Sequence, residues 1–202
     1  MEKYFELDTD NLKEDYLMLR AGDKVLLAGS IYSARDAAHE KIIKIMEAGG
    51  PPPFKIDNST IYYAGACPAK PGKIAGPCGP TTSGRMDKYT PFLLERGLKI
   101  MIGKGERNHE VIESMIKNGA VYLAAIGGCG AAISEKIMAQ EVIAFPELGA
   151  EAVVKLRVKD FSLIVAIDSL GGNIFETEPP KFKDMFSKMS LEREIENGCN
   201  QT

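Results

Sequence analysis

Short apolar runs recur along this chain with amphipathic helical stretches between them, and that alternation limits the possible folds more than any other feature. The runs are Lys24 to Ser30 (KVLLAGS), Thr60 to Ala64, Lys99 to Ile102, Val121 to Ala125 and Glu141 to Ala144. Between them, Arg35 to Ala48 places Ala38, Ile42, Ile45 and Met46 on one face, with Ser33 as N-cap and Gly49–Gly50 as the stop. Further helices are expected from Met86 or Tyr89 to just before Gly97, over Asn108 to Asn118, and over Ala131 to Met138. Two consecutive runs, Ala152 to Val158 and Ser162 to Asp168, read as a hairpin turning at Lys159 and Asp160. Alternation in the middle with consecutive strands at the ends predicts an α/β fold with a mixed sheet; a doubly wound parallel sheet is the alternative.

The chain has 202 residues, 45% hydrophobic and 26% charged, enough to bury one ordinary core. A single domain is expected over 1–176, with 177–202 a C-terminal helix and tail. Twenty-five Lys and Arg against 28 Asp and Glu leave a net charge of −3. That balance gives no general attraction to phosphate backbones, so no nucleic-acid partner is expected. The N-terminal stretch is studded with acids rather than shaped as a secretory signal, and no apolar run is long enough to span a bilayer. The reading is cytoplasmic, without a membrane partner. Cys67, Cys78, Cys129 and Cys199 form no C-x-x-C pair, so they read as free thiols with no metal site.

Residues Gly65 to Gly84 are dense in Gly, Pro, Ser and Thr and read as loop. Within and beyond it, GPTTSGRMD (79–87) sets Thr81, Thr82 and Ser83 ahead of Arg85, a composition suited to a carboxylate or phosphate, or else to an N-cap cluster with a surface arginine. Arg35 follows the first long strand, and Lys104 follows strand Lys99 to Ile102. In open α/β sheets ligands gather beyond the carboxyl ends of strands, so three such cations, if they converge, match a small dicarboxylate. The turn GGCGAA (127–132) suits an anion at a helix start or simply a tight turn, and lacks dinucleotide-binding spacing. His39 lies on a helix where packing or capping suits it better than catalysis, and His109 sits in a charged run. Nothing in the spacing assigns a complete catalytic set.

Taken together, SARDAAH at Ser33, GPTTSGRMD at Gly79, IGKG at Ile102 and SLIVAIDSLGGNIF at Ser162 resemble the C-terminal domain, or separate β subunit, of the class I iron–sulfur hydro-lyases, the fumarase and L-tartrate dehydratase group. The resemblance covers roughly residues 10 to 176. It implies a swivelling β/β/α domain in a hetero-oligomer with a cluster-bearing α subunit, whose [4Fe–4S] iron acts as Lewis acid on the substrate. It further implies that Arg35, Arg85 and Lys104 bind substrate carboxylates and that Thr81 is the proton-transfer base; a hydrogen bond from Thr81 to substrate is the other role open to it. GRMD has the fumarase form, which favours fumarate and (S)-malate over tartrate. Ser83, where many fumarases have Ala, departs from the pattern. A stand-alone dicarboxylate-binding module is the non-enzymatic alternative.

Overall fold

The computed structural model describes residues 3–65 and 67–183. Its strands are β1 (Tyr4–Asp8), β2 (Lys24–Ser33), β3 (Thr60–Tyr62), β4 (Ile100–Gly103), β5 (Val121–Ala124), β6 (Ile137–Ala144) and β7 (Val153–Ile167). The helices are α1 (Asp36–Glu47), α2 (Thr90–Leu94), α3 (His109–Asn118) and α4 (Gly130–Ser134), with short 3₁₀ turns and a further helix over 174–183. The fold is therefore mixed α/β. No described helix is long and apolar enough to cross a membrane.

β2, β3, β4 and β5 run parallel in sequence, and β7 returns antiparallel to both β5 and β2, which closes a five-stranded barrel. β1 and β6 extend it as flaps on β2 and β7. Strand alternation explains the two cores. Val25, Leu27 and Ile31 of β2 turn inward with Tyr62, Ile100, Ile102, Leu123 and Phe161. The opposite faces, carrying Ile61, Met101 and Tyr122, pack under Ala38 and Ile42 of α1, Leu93 and Leu94 beside α3, and Val111 and Met115.

The expected hairpin at Lys159 and Asp160 is absent. β7 is one continuous strand of 15 residues. Leu27 pairs with Phe161 and Gly29 with Val158, so Lys159 and Asp160 together oppose Ala28. Asp160 adopts φ 53° and Gly29 φ 102°, the signature of a bulge that bends the strand without ending it. The bend lets the first half of β7 pair with β6 and the second half with β5. The helix expected over Ala131 to Met138 stops at Ser134, because β6 begins at Ile137 and recruits the rest into the β7 ladder. The acidic N-terminus contains β1, which pairs in parallel with the start of β2.

Candidate active site

The four parallel strands deliver their carboxyl ends to one side of the barrel, where a ligand is expected in such sheets. From β2 the chain crosses to β3 through Ala34, whose N–H donates to the Tyr62 carbonyl at 3.1 Å. Arg35 follows in extended conformation and α1 begins at Asp36. The Glu151 carboxylate accepts from the Ala37 N–H at 3.1 Å and pairs with Nη2 of Arg35 at 3.3 Å, so it caps the helix and holds the arginine together. Gly65 completes this cradle. A Cβ there would lie 3.2 Å from Arg35 Nη1 and 2.7 Å from the Ala150 carbonyl oxygen.

His39, fully buried, sets the Arg35 backbone. Its N–H and its Nδ1 both face the Arg35 carbonyl, at 2.9 and 2.8 Å, which assigns the ring proton to Nδ1. Nε2 is buried with no hydrogen-bond partner, and the ring packs between Tyr63 and Tyr89. Burial lowers the His39 pKa to about 4. Because the folded value lies below the unfolded one near 6.5, the neutral ring's stabilising contribution is complete above pH 6.5 and disappears as pH falls toward 4. The linked loss is about 3 kcal/mol. Urea unfolding at pH 7 and pH 4.5 should therefore show a steeper acid loss in the wild type than in His39→Asn, whose amide retains a donor for the carbonyl. Equal pH slopes would exclude a neutral buried His39.

Arg85 reaches the same place from the other direction. It lies in a 3₁₀ turn, Ser83–Met86, rather than at the α-helix start expected, because α2 begins only at Thr90. Its Nε donates to Asp36 Oδ1 at 2.8 Å, and Oδ2 of the same carboxylate stands 3.9 Å from Arg35 Nε. The two arginines thus meet across one acid.

The segment carrying Thr81 is held by main-chain bonds on both sides. The Thr81 N–H donates to the Tyr63 carbonyl at 2.7 Å, and the Ser83 N–H donates to the Lys104 carbonyl at 2.9 Å. In return the Lys104 N–H donates to Ser83 Oγ at 3.1 Å, and Thr82 bridges to Lys104. Ser83 is buried and also hydrogen-bonds the Tyr122 hydroxyl at 2.8 Å. Gly103 is obligatory beneath it, since a Cβ would fall 2.0 Å from Ser83 Oγ. The Lys104 side chain is exposed and passes Gly127, with Nζ 3.8 Å from where a Cβ would stand. Gly130 accepts from the Cys78 N–H at 3.0 Å, which ties the glycine turn to the loop before Thr81. Among the described residues neither the Lys104 ammonium nor the half-buried Thr81 hydroxyl has a hydrogen-bond or ion-pair partner.

Comparison with known proteins assigns the chain. The model of the fumarase C-terminus family matches residues 1–178. The chain belongs to that family. Within the fumarase C-terminus family it is 38% identical over 168 residues to fumarate hydratase 2 of Leishmania major, covering 82% of this chain and 30% of that protein. It is 39% identical over 155 residues to the anaerobic class I fumarate hydratase of Escherichia coli K12, covering 76% and 28%. A putative L(+)-tartrate dehydratase subunit beta of Methanocaldococcus jannaschii is 38% identical over 183 residues, covering 88% of this chain and 94% of that subunit. The chain thus spans under a third of the two fumarate hydratases and nearly all of the archaeal subunit.

Sequence reasoning missed the support beneath the site of this fumarase C-terminal chain. Arg107, in a run that reads as solvated charge, has a side chain 0% exposed. Its Nε donates to Asp87 Oδ1 and its Nη2 to Thr90 Oγ1, each at 2.7 Å. The guanidinium lies 5.2 Å from the ring centroids of both Tyr63 and Tyr122. Asp87 Oδ2 accepts from the Asn108 N–H at 2.8 Å. The one sequence signal was position: Arg107 immediately precedes Asn108, whose side chain caps α3. His109, by contrast, is exposed and faces Glu113 one turn on.

The described residues do not fit an iron–sulfur cluster. Among them no group of three or more His, Cys, Asp and Glu comes together. Cys67 and Cys129 are exposed, whereas Cys78 is buried and its thiol is pushed up to about 12 by that burial, far from the thiolate a metal needs. Cys199 lies outside the described residues. What the site offers instead is cations and a hydroxyl, the chemistry of a small oxyanion.

Proposed function

We propose that this chain is the β subunit of an iron–sulfur-dependent hydro-lyase, interconverting fumarate and (S)-malate together with an α subunit that holds the [4Fe–4S] cluster. The observation that carries this reading is the meeting of Arg35 and Arg85 across Asp36, with the main-chain segments of Thr81 and Lys104 joined to each other at the carboxyl ends of the parallel strands. Two planar guanidiniums suit the planar carboxylates of a dicarboxylate, and Lys104 adds a mobile point charge. Thr81 takes the proton from the carbon beside the one that bears the hydroxyl. The C–H electron pair becomes the new double bond as the C–O bond breaks, and the departing hydroxide becomes water with the proton that Thr81 gives up, which restores its alkoxide. A threonine hydroxyl is a weak base, so neighbouring cations and a site closed by the partner must stabilise its alkoxide. The cluster is the partner's in this reading, and the roles given to this chain concern carboxylate binding and the proton alone.

A second reading is tartrate dehydration to oxaloacetate, favoured by the nearly full-length match to the archaeal subunit. Anaerobic co-purification, followed by assays of the complex on (S)-malate, fumarate and L-tartrate, tests both. We expect a higher kcat/KM for malate, with no turnover by this chain alone. A preference for tartrate replaces the first reading by the second. Tight dicarboxylate binding by the isolated chain with no capture of a cluster-bearing subunit overturns both and leaves a binding module.

A further inference from the structure

The two arginines are not free forks awaiting a ligand; one carboxylate already occupies the space between them. We infer that Asp36 is a positioning residue that aligns Arg35 and Arg85 for substrate, an inference that rests on the dicarboxylate site proposed above. Oδ1 accepts from Arg85 Nε at 2.8 Å, while Oδ2 and Arg35 Nε, paired by charge at 3.9 Å, are both buried and make no hydrogen bond. Each oxygen is thus assigned to a different guanidinium, and only the Nε side of each arginine faces the acid. Arg85 keeps both terminal nitrogens without a partner among the described residues, and Arg35 keeps Nη1, since Nη2 is paired with Glu151. These remaining donors are the ones that can fork onto a carboxylate.

The need for such a residue is electrostatic. Two guanidiniums this close repel each other, and the Arg85 side chain, 50% exposed, would relax into water without an anchor. Asp36 offsets that repulsion and sits at the first position of α1, where a negative charge is favoured by the helix dipole. The main chain on the other side is fixed equally firmly, because His39 holds the Arg35 carbonyl. Asparagine has the right length yet presents one oxygen and one amide, so it serves one arginine and sets a donor against the other.

The test uses the anaerobic complex of this chain with its cluster-bearing subunit, comparing wild type with Asp36→Asn, Asp36→Ser and Asp36→Glu. The readouts are KM and kcat for malate and, independently of turnover, calorimetric binding of succinate as an unreactive dicarboxylate. Asn and Ser variants should raise KM and the succinate Kd together by about tenfold or more, within the range of a hydrogen bond to a charged group. Because both guanidiniums remain and only their alignment is loosened, kcat should also fall, but by less than in Arg85→Ala. Glutamate should restore part of the loss in KM and succinate Kd, whereas a role confined to the helix dipole would lower folding stability in the Asn and Ser variants and leave KM and the succinate Kd unchanged. Unchanged constants in the folded Asn or Ser complex overturn the inference while leaving the proposed function intact. Tighter succinate binding in them also overturns it, by making Asp36 a competitor. A wild-type complex that neither turns over malate or tartrate nor binds succinate overturns the proposed function, and this inference with it.

Discussion

Under the proposed function, Thr81→Ala should lower kcat for malate by about two to four orders of magnitude in the assembled enzyme, the range that general acid–base groups contribute, and leave KM within a few-fold. The fold should tolerate the change, since the segment is held by the Thr81 N–H and by Ser83, neither of which the substitution removes. Arg85→Ala is the contrasting case: it should raise KM and lower kcat together, because a carboxylate-binding cation orients the substrate as well as holding it. Exchange of the malate C3 proton with deuterated solvent gives a second readout, and it should vanish in Thr81→Ala at malate concentrations that saturate the site. An unchanged kcat, or exchange that persists, would limit Thr81 to a hydrogen bond.

Local pattern made most of this fold legible. The helix over α1, its glycine stop, and the runs that became β2, β4 and β5 follow from periodicity and turn residues that act within a few positions of one another. The failures have a common cause. Lys159–Asp160 carries the chemistry of a turn, and Asp160 does adopt the left-handed conformation, but the residues opposite it on β2 convert that local turn into a bulge. Likewise Ile137 to Gln140 is assigned by its pairing with β7 and not by its own pattern. Pairing partners, about 20 residues away for β6 and more than a hundred for β2, carry no mark in the local pattern.

The candidate site divides along the same line. Arg35, Arg85 and Lys104 announce themselves by residue type at a strand or loop end, Thr81 is set apart from Thr82 and Ser83 only by the family resemblance, and the topology brings their segments to one side of the barrel. Asp36 reads in sequence as a helix-start acid, and its link to Arg85, 49 positions away, exists only in three dimensions. Glu151 contacts Arg35 through a segment far downstream for the same reason. Arg107 is the extreme example. Five hydrogen-bond donors make it read as surface, and only the prior arrangement of Asp87, Thr90, Tyr63 and Tyr122 makes its burial tolerable.

Arg107→Ala should cost about 3–5 kcal/mol of folding stability, the penalty for breaking a buried ion pair and leaving one member uncompensated. Asp87 is 8% exposed, so its charge would keep only the Asn108 N–H. Asp87→Asn should be severe for the converse reason, since Arg107 would then be the unpaired charge. Combining the two removes both uncompensated ions, so the double variant should be more stable than the sum of the single losses requires, with the coupling read from a double-mutant cycle in urea. Small additive losses would show that the pair is not a buried charge network. The consequence reaches the reaction because Arg107 and its partners lie directly under the residues that hold Thr81 and Lys104: Tyr63 supplies the carbonyl for the Thr81 N–H, and Tyr122 is hydrogen-bonded to Ser83. A variant that still folds at low temperature should therefore lose activity as well, with kcat and KM both affected, because Thr81 and Lys104 are no longer held in register with each other.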